Sequence, residues 1–168
     1  MSKVILLCGK ICAGKTTYAK QLIQQHPAVY LDADGLMTRF FPEPLGDQYD
    51  VTAGRAYAYL RERAADIVRA GADVILDGAG WLRSGRRETT AYFQENGIPC
   101  EWHFIDVSEK RRRKLIEKRN DDVLHGKSNA YFADGGLLSK CLEQFEPPEP
   151  SEIAVRVLDG VIQTGSVQ

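Results

Sequence analysis

Eight consecutive residues near the start of the chain have the types and the spacing of a phosphate-binding loop. They fit the pattern G-x-x-x-x-G-K-[ST] and read Gly9-Lys10-Ile11-Cys12-Ala13-Gly14-Lys15-Thr16. The two glycines let the main chain turn tightly and approach a phosphate group with no Cβ in the way. The loop amides would bind phosphate oxygens, Lys15 would reach the β- and γ-phosphates, and the Thr16 hydroxyl would hold Mg²⁺.

The residues on either side of this motif have the order that it requires. The preceding run, Val4-Ile5-Leu6-Leu7-Cys8, is typical of a buried strand, and apolar residues recur at helical spacing from Thr17 onward. A strand, a glycine loop and a helix in this order argue against a chance match. We therefore expect the residues from Gly9 to Thr17 to bind a nucleoside triphosphate.

Three aspartates follow two further strand-like segments. Asp32 and Asp34 follow the segment at residues 28–31, and Asp77 follows the segment at residues 73–76. Ligands of open α/β sheets bind beyond the carboxyl ends of the strands, so these carboxylates are candidates for chemistry beside the phosphate loop. An apolar strand that ends in aspartate is Walker B-like, which predicts that Asp77 helps to hold the metal. The alternative for Asp77 is a turn or helix-capping aspartate.

A strongly basic helix is predicted from residue 109 to about 119, with Ser108 as its N-cap. Its basic residues are Lys110, Arg111, Arg112, Arg113, Lys114, Lys118 and Arg119. One interpretation is a lid that places arginines over the transferring phosphoryl group, with a polar lid tip at 120–127. The alternatives are a solvated helix face or a nucleic-acid patch.

Strand-like and helix-like segments alternate along the whole chain. Further strands are predicted at 100–106 and 153–158, and further helices at 36–41, 49–70, 84–96 and 134–145. Pro42 and Pro44 would end the short helix at 36–41, and Ser84 would cap the helix at 84–96. Residues 161–163 would return as a small hairpin. This alternation predicts a single domain, an α/β three-layer sandwich with a mainly parallel sheet.

Composition narrows the class of protein. The chain has 168 residues, a formal net charge of −1, 43% apolar and 27% charged residues, which fits one globular domain. A net charge near zero gives no basic field to recruit nucleic acid. We see no signal-peptide pattern and no apolar run near ~20 residues, so we expect a cytoplasmic protein without a membrane partner. The four cysteines have no metal-ligand spacing, and the oligomeric state stays open.

Several stretches together resemble the small P-loop kinases of the zeta-toxin, chloramphenicol phosphotransferase and polynucleotide 5′-kinase group. The matching stretches are the P-loop, Leu31-Asp32-Ala33-Asp34 with Met37 and Arg39-Phe40-Phe41, Val74-Ile75-Leu76-Asp77-Gly78 with Trp81, Arg83 and Arg86, the segment from Arg113 to Asn120, and Phe145-Glu146-Pro147-Pro148. The resemblance implies a P-loop NTPase fold with a five-stranded sheet of order 2-3-1-4-5, Mg-ATP as phosphoryl donor, and a helical lid at about 109–133.

The resemblance also implies roles for residues outside the loop. Asp34, with Asp32 second, would activate an acceptor hydroxyl, and Asp34 is also a candidate metal ligand. Arg39 would contact the acceptor or the phosphate. The arginines that would neutralise the γ-phosphoryl group are Arg83, Arg86, Arg113 and Arg119, of which Arg113 is also a candidate nucleotide contact. Glu146 and Pro147 would lie beside the adenine.

These residues lead to one functional hypothesis and two alternatives. The hypothesis is a kinase that transfers the γ-phosphoryl group of Mg-ATP to a hydroxyl of a small molecule such as a nucleoside, a sugar or an antibiotic. The first alternative is a polynucleotide or tRNA-end kinase. Related polynucleotide kinases carry an arginine three residues after the acid, where this chain has Met37. The second alternative is a nucleotide-operated switch or ATPase module without a small-molecule acceptor.

Overall fold

A mostly parallel sheet of six strands forms the centre of the molecule. The computed structural model describes residues 1–43, 45–78, 80–128 and 130–163. The strands are β1 (Val4–Cys8), β2 (Ala28–Asp32), β3 (Asp73–Asp77), β4 (Cys100–Asp106), β5 (Val155–Leu158) and β6 (Val161–Gln163). They lie in the order β2-β3-β1-β4-β5-β6. The predicted α/β fold and the order of the first five strands are confirmed, and the sheet has one strand more than the resemblance implied.

The sixth strand is the small hairpin at the end of the described chain. β1 to β5 pair in parallel, whereas β6 pairs antiparallel with β5. The turn between them is made by Asp159 and Gly160, both with positive φ (50° and 86°). Two successive residues in this conformation form the tight turn that a two-residue hairpin requires.

The described part of the chain contains six helices, which flank the sheet. They are α1 (Lys15–Gln25), α2 (Ala33–Phe40), α3 (Tyr49–Arg69), α4 (Arg83–Glu95), α5 (Glu109–Leu124) and α6 (Gly135–Gln144), with short 3₁₀ turns at Gly46–Gln48 and Pro150–Glu152. In β1, Leu6 belongs to an apolar cluster with α3 and α4, and Leu7 to a second cluster with α1. Neighbouring strand residues point to opposite faces, so the molecule has three layers. No helix in the described ranges has the length and apolar character needed to span a membrane.

Three predicted boundaries were wrong. α2 begins at Ala33 rather than at 36, which places Asp34 in its first turn. α4 is capped by Leu82 rather than Ser84. β5 begins at Val155 because a 3₁₀ turn with proline at its start occupies Pro150–Glu152. Pro44, the second predicted helix stop, lies outside the described residues.

The basic helix is longer than the sequence indicated. α5 continues to Leu124, so the predicted lid-tip loop is largely helical. The Lys118 ammonium and the Asp122 carboxylate are 2.7 Å apart at i,i+4 spacing, which supports this extra turn. The predicted cap is confirmed, because the Ser108 hydroxyl accepts a hydrogen bond from the N–H of Arg111.

Candidate active site

The loop between β1 and α1 is shaped by its two motif glycines. Gly14 is the N-cap of α1 with φ 92°, in the left-handed region that favours glycine. At Gly9 a Cβ would collide with the carbonyl oxygen of Ile105 in β4. α1 then begins at Lys15, so the unpaired N–H groups of its first turn face the loop. This arrangement of amides and helix N-terminus is suited to binding an anion.

Lys15 and two threonines stand at the mouth of this loop. The Lys15 ammonium donates a hydrogen bond to the carbonyl oxygen of Gly9 at 3.4 Å, so the side chain folds back over the loop. Thr16 and Thr17 occupy the first turn of α1 and are exposed. Burial raises the pKa of the Tyr30 hydroxyl in β2, and a hydrogen bond with the Thr16 side chain lowers it. The start of α1 therefore lies next to the end of β2.

Asp77 lies at the carboxyl edge of the sheet, between two neighbouring strands. Its Cα pairs with Leu7 of β1 on one side and with Asp32 of β2 on the other. The side chain is buried, and burial raises its pKa to about 7. The Lys15 ammonium opposes this rise, and the Tyr30 hydroxyl donates a hydrogen bond to the carboxylate at 3.5 Å. The predicted meeting of strand-end carboxylates with the phosphate loop is what the structure contains.

Asp34 is the exposed member of the carboxylate cluster. It lies in the first turn of α2, and no described residue forms an ion pair with its carboxylate. Burial is the first cause that raises the pKa of Tyr49, Tyr131 and Cys141, and the Asp34 charge is the second in each case. Asp34 therefore lies within electrostatic reach of the space between α2, the start of α3, the segment before α6, and α6 itself. We refer to this space as the acceptor side.

Arg119, one of the arginines of the predicted lid, contacts the phosphate loop. Its Nε and Nη2 donate hydrogen bonds to the carbonyl oxygen of Tyr131 at 3.1 and 2.8 Å. Its Nη1 lies 3.7 Å from the Sγ of Cys12, within the loop. α5 therefore brings one guanidinium into contact with a side chain of the phosphate loop.

The structure gives Arg86 and Arg83 other partners. Arg86 is 1% exposed, and its Nε and Nη2 bind both carboxylate oxygens of Glu152 at 3.1 and 3.2 Å. Its Nη1 donates to the carbonyl oxygens of Gly80 and Glu146. The Arg83 side chain pairs with Glu149. These contacts fasten the loop before β5 to α4, and a role of either arginine at the phosphoryl group stays a prediction.

Arg39 and Arg113 are exposed, and neither forms an ion pair with another described residue. Arg39 lies five residues after Asp34 in α2, which places it about 140° around the helix from the carboxylate. Arg113 lies in the second turn of α5, before the turn that carries Arg119. Both roles stay predictions.

A cleft of about 240 Å³ opens on the other side of the loop. It is lined by Lys10, Phe104, Asp106, Phe145, Pro147, Pro148, Pro150, Ile153 and Arg156. The rings of Phe104 and Phe145 stack with centroids 6.3 Å apart, and Pro147 also lines the cleft. The role of Pro147 beside the adenine stays a prediction. The Glu146 carboxylate instead accepts a hydrogen bond from the N–H of Arg83 at 2.6 Å, and Glu146 does not line this cleft.

The residues present fit Mg-ATP. A loop of amides and a lysine suits a triphosphate, and the oxygen donors of Thr16 and Asp77 suit Mg²⁺. Within the described ranges no three His, Cys, Asp or Glu side chains come together as a metal centre. The metal roles of Thr16, Asp77 and Asp34 stay predictions.

Sequence reasoning missed several residues that line the site. Tyr30 touches Asp77, and Tyr131 touches Arg119. After burial, the Asp34 charge is the next cause that raises the pKa of Cys141. Arg156 lies on the Phe104 ring with its Cζ 5.8 Å from the ring centroid. Tyr30 could have been found, because it precedes Asp32 by two residues and shares its face of the strand. The others depend on contacts across long stretches of chain.

Solved structures with this fold carry names that refer to different acceptors. A sugar kinase from Janibacter sp. HTCC2649 is 18% identical, with a TM-score of 0.63 over 94% of this chain and 86% of that one. The Mycobacterium tuberculosis APS kinase CysC, solved with AMPPNP and APS, is 19% identical, with a TM-score of 0.61 over 94% and 88%. A chain of the Pnkp1/Rnl/Hen1 RNA repair complex is 18% identical, with a TM-score of 0.65 over 85% and 43%.

These similarities confirm the expected fold of small P-loop kinases, and at such identities they establish the fold alone. None of the curated proteins matches the sequence significantly. A family model described as "AAA domain" matches residues 4–148, from the first strand to the loop before β5. That match covers well over half of the sequence, so the chain belongs to the AAA domain family.

Proposed function

We propose that this protein is a kinase that transfers the γ-phosphoryl group of Mg-ATP to a hydroxyl of a small molecule. The observation that carries the proposal is Asp34. A complete phosphate loop would serve any nucleotide-binding protein. A kinase also needs a group that accepts the hydroxyl proton. Asp34 suits this task, because its carboxylate is exposed and has no ion-pair partner among the described residues.

Each group in the cluster would have one task. The loop amides and Lys15 would hold the phosphates, and Thr16 with Asp77 behind it would hold the metal. Bound Mg²⁺ would neutralise charge on the phosphate oxygens. Arg119, already directed at the loop, would offset the charge that develops on the transferring group. Asp34 would orient the acceptor hydroxyl and take its proton as the new bond forms.

Two contacts across the acceptor side support a small acceptor. The Tyr131 hydroxyl donates a hydrogen bond to the carbonyl oxygen of Phe41 at 2.7 Å. The Lys140 ammonium of α6 lies 3.3 Å from the Asp50 carboxylate of α3. Both contacts are exposed, and a polynucleotide strand that entered between α2, α3 and α6 would have to displace them.

α5 has fewer basic side chains available for the phosphates of a polynucleotide than its number of basic residues suggests. The guanidinium of Arg112 is bound by Glu109 at 2.7 Å, and Lys118 by Asp122 at the same distance. The Arg111 side chain binds the carbonyl oxygen of Asp159. Two of the seven basic side chains are thus ion-paired within the helix and a third is tied to the hairpin, so fewer of them are left for phosphates.

The test is ADP formation from Mg-ATP with pooled hydroxyl acceptors. The pools are nucleosides, sugars, aminoglycoside and phenicol antibiotics, and 5′-OH oligonucleotides. One of the small-molecule pools should raise wild-type turnover, and Asp34→Asn should bind ATP but show no response. Asp66→Asn, an exposed aspartate on the far part of α3, is the matched control and should respond like the wild type. A response to oligonucleotides alone would instead support a polynucleotide kinase, and tight ATP binding with no response would contradict the kinase proposal.

A further inference from the structure

Residues 130–133 form a short strap between α5 and α6, and its main chain holds the lid arginine. The carbonyl oxygen of Tyr131 accepts two hydrogen bonds from Arg119, at 3.1 and 2.8 Å. The third nitrogen of that guanidinium, Nη1, is the one that lies 3.7 Å from the Sγ of Cys12 in the phosphate loop. The direction of the arginine therefore depends on where the Tyr131 carbonyl lies.

A second pair of hydrogen bonds joins the strap to the same helix. The Asn120 side-chain amide donates to the carbonyl oxygen of Ala133 at 3.0 Å and accepts from its N–H at 2.8 Å. Ala133 is 2% exposed, so this pair is shielded from water. The strap is therefore held to α5 at two places, by Arg119 and by Asn120.

The side chain of Tyr131 points the other way, to the acceptor side. Its hydroxyl donates to the carbonyl oxygen of Phe41, the C-cap of α2. Its ring packs edge-to-face on Tyr49 at the start of α3, with ring centroids 6.2 Å apart. Asp34, in the first turn of α2, is near enough that its charge adds to burial in raising the pKa of Tyr131. One residue thus touches the phosphate side through its carbonyl and the acceptor side through its phenol.

We propose that Tyr131 is a positioning residue that couples the acceptor side to Arg119. This inference rests on the proposed kinase function for its purpose, although the coupling itself does not. An acceptor that packs against Phe41 and Tyr49 fixes the phenol, the phenol fixes the carbonyl, and the carbonyl aims the guanidinium at the γ-phosphoryl group. By linkage, a nucleotide that engages Arg119 must in turn steady the end of α2.

The first test needs no acceptor. Amide hydrogen exchange is measured on the full chain with and without Mg-AMPPNP. In the wild type the nucleotide should slow exchange in the phosphate loop and also at Phe40 and Phe41. Tyr131→Phe keeps the ring and loses the hydroxyl, so the loop should still be protected while the protection at α2 is lost. Tyr59→Phe, an exposed tyrosine of α3, is the control and should behave like the wild type.

Two outcomes of this experiment would overturn the inference. One is equal protection of the end of α2 in Tyr131→Phe and in the wild type. The other is no nucleotide-dependent protection there in the wild type. Both results concern coupling alone, so they leave the kinase proposal to its own acceptor test.

The second test asks whether the effect acts through Arg119. With an acceptor that stimulates the wild type, Tyr131→Phe should lower kcat by about 5- to 10-fold, the usual effect of one hydrogen bond, and change the KM for ATP less than twofold. Arg119→Lys should lower kcat further than that. The double variant should be no slower than Arg119→Lys alone, because the phenol acts only by aiming that side chain. Losses that multiply would show that Tyr131 acts independently of Arg119 and would contradict the inference.

Discussion

The phosphate side and the acceptor side of the site are built by different means. The phosphate side is one continuous stretch, in which β1, the loop and α1 present main-chain amides and Lys15 around two glycines. The acceptor side is assembled from α2, the start of α3, the strap at 130–133 and α6. These segments meet through side chains, as in the contacts of Tyr131 with Phe41 and of Lys140 with Asp50.

This difference has consequences for what each side can do. Main-chain groups fixed by backbone geometry bind the same chemical group whatever the neighbouring side chains are, so the phosphate side is suited to an invariant ligand. A surface made of side chains changes its ligand with a few substitutions. Phe40 is 68% exposed and Phe41 38% exposed beside Asp34, which leaves apolar surface for an acceptor to cover.

The largest expected effect is on the phosphate side. Lys15→Ala should lower the turnover of Mg-ATP by about 100- to 1,000-fold, because the ammonium that stabilises the transferring charge is removed. Thermal unfolding followed by circular dichroism should show that the fold is kept. Lys20→Ala, an exposed lysine of the same helix, is the control and should turn over ATP like the wild type. Unchanged turnover in Lys15→Ala would contradict the phosphate-side assignment.

A second prediction separates a structural arginine from a catalytic one. Arg86→Leu leaves Glu152 and two carbonyl oxygens without their partner, and should lower the free energy of unfolding by about 3 kcal/mol in urea denaturation. Arg87→Leu, its exposed neighbour, should change the free energy of unfolding little. If Arg86→Leu lowered ATP turnover but left the free energy of unfolding unchanged, the result would support a role of Arg86 at the phosphoryl group instead of a structural role.

Arg86 and Arg119 show which part of the site cannot be predicted from the sequence. The motif from Gly9 to Thr16 and the aspartates at the strand ends follow from local pattern, because each depends on neighbouring residues. The strand order came from the resemblance to small P-loop kinases. Whether Arg86 or Arg119 faces the phosphates depends on partners far along the chain. Arg86 is occupied by Glu152, 66 residues later, and Arg119 is held by a main-chain carbonyl in a strap with no sequence signature.

The acceptor side was the least predictable part for the same reason. Asp34 was expected next to the phosphate loop because it follows β2, and its role there stays a prediction. The prediction placed it before α2 rather than within its first turn. Tyr131 and Cys141 gave no signal, because a tyrosine in a loop and a cysteine in a helix are common and reach Asp34 only through tertiary packing.

A third prediction tests how tightly the phosphate side is packed. At Gly80 a Cβ would collide with Cys8 and with the carbonyl oxygen of Leu7, directly behind the loop. Gly80→Ala should therefore lower the free energy of unfolding by about 1–3 kcal/mol in urea denaturation. Gly54→Ala is the matched change on the acceptor side, at an open position within α3, and should raise it by about 0.5–1 kcal/mol. Equal changes in the free energy of unfolding for the two variants would contradict the tighter packing that we expect behind the phosphate loop.

The smallest effect concerns the pH dependence of stability, and it comes from Asp77. An aspartate in the unfolded chain has a pKa near ~3.9. Burial raises the pKa of Asp77 in the folded chain to about 7. Between these two values the folded state keeps a proton that the unfolded state has released. The stability from this group is therefore present at low pH and is lost as the pH rises through 7.

Urea denaturation at pH 6 and pH 8 should show this loss as a fall of about 1 kcal/mol in the free energy of unfolding. Asp77→Asn, which has no proton to release, should remove that part of the fall. Asp73→Asn is the matched control, since its carboxylate lies at the opposite end of β3 and accepts a hydrogen bond from the N–H of Lys3 rather than facing Lys15. If the free energy of unfolding fell equally in Asp77→Asn, the fall would come from other groups. Asp77 would then be charged already at pH 6, and its buried carboxylate would need no metal to ionise it.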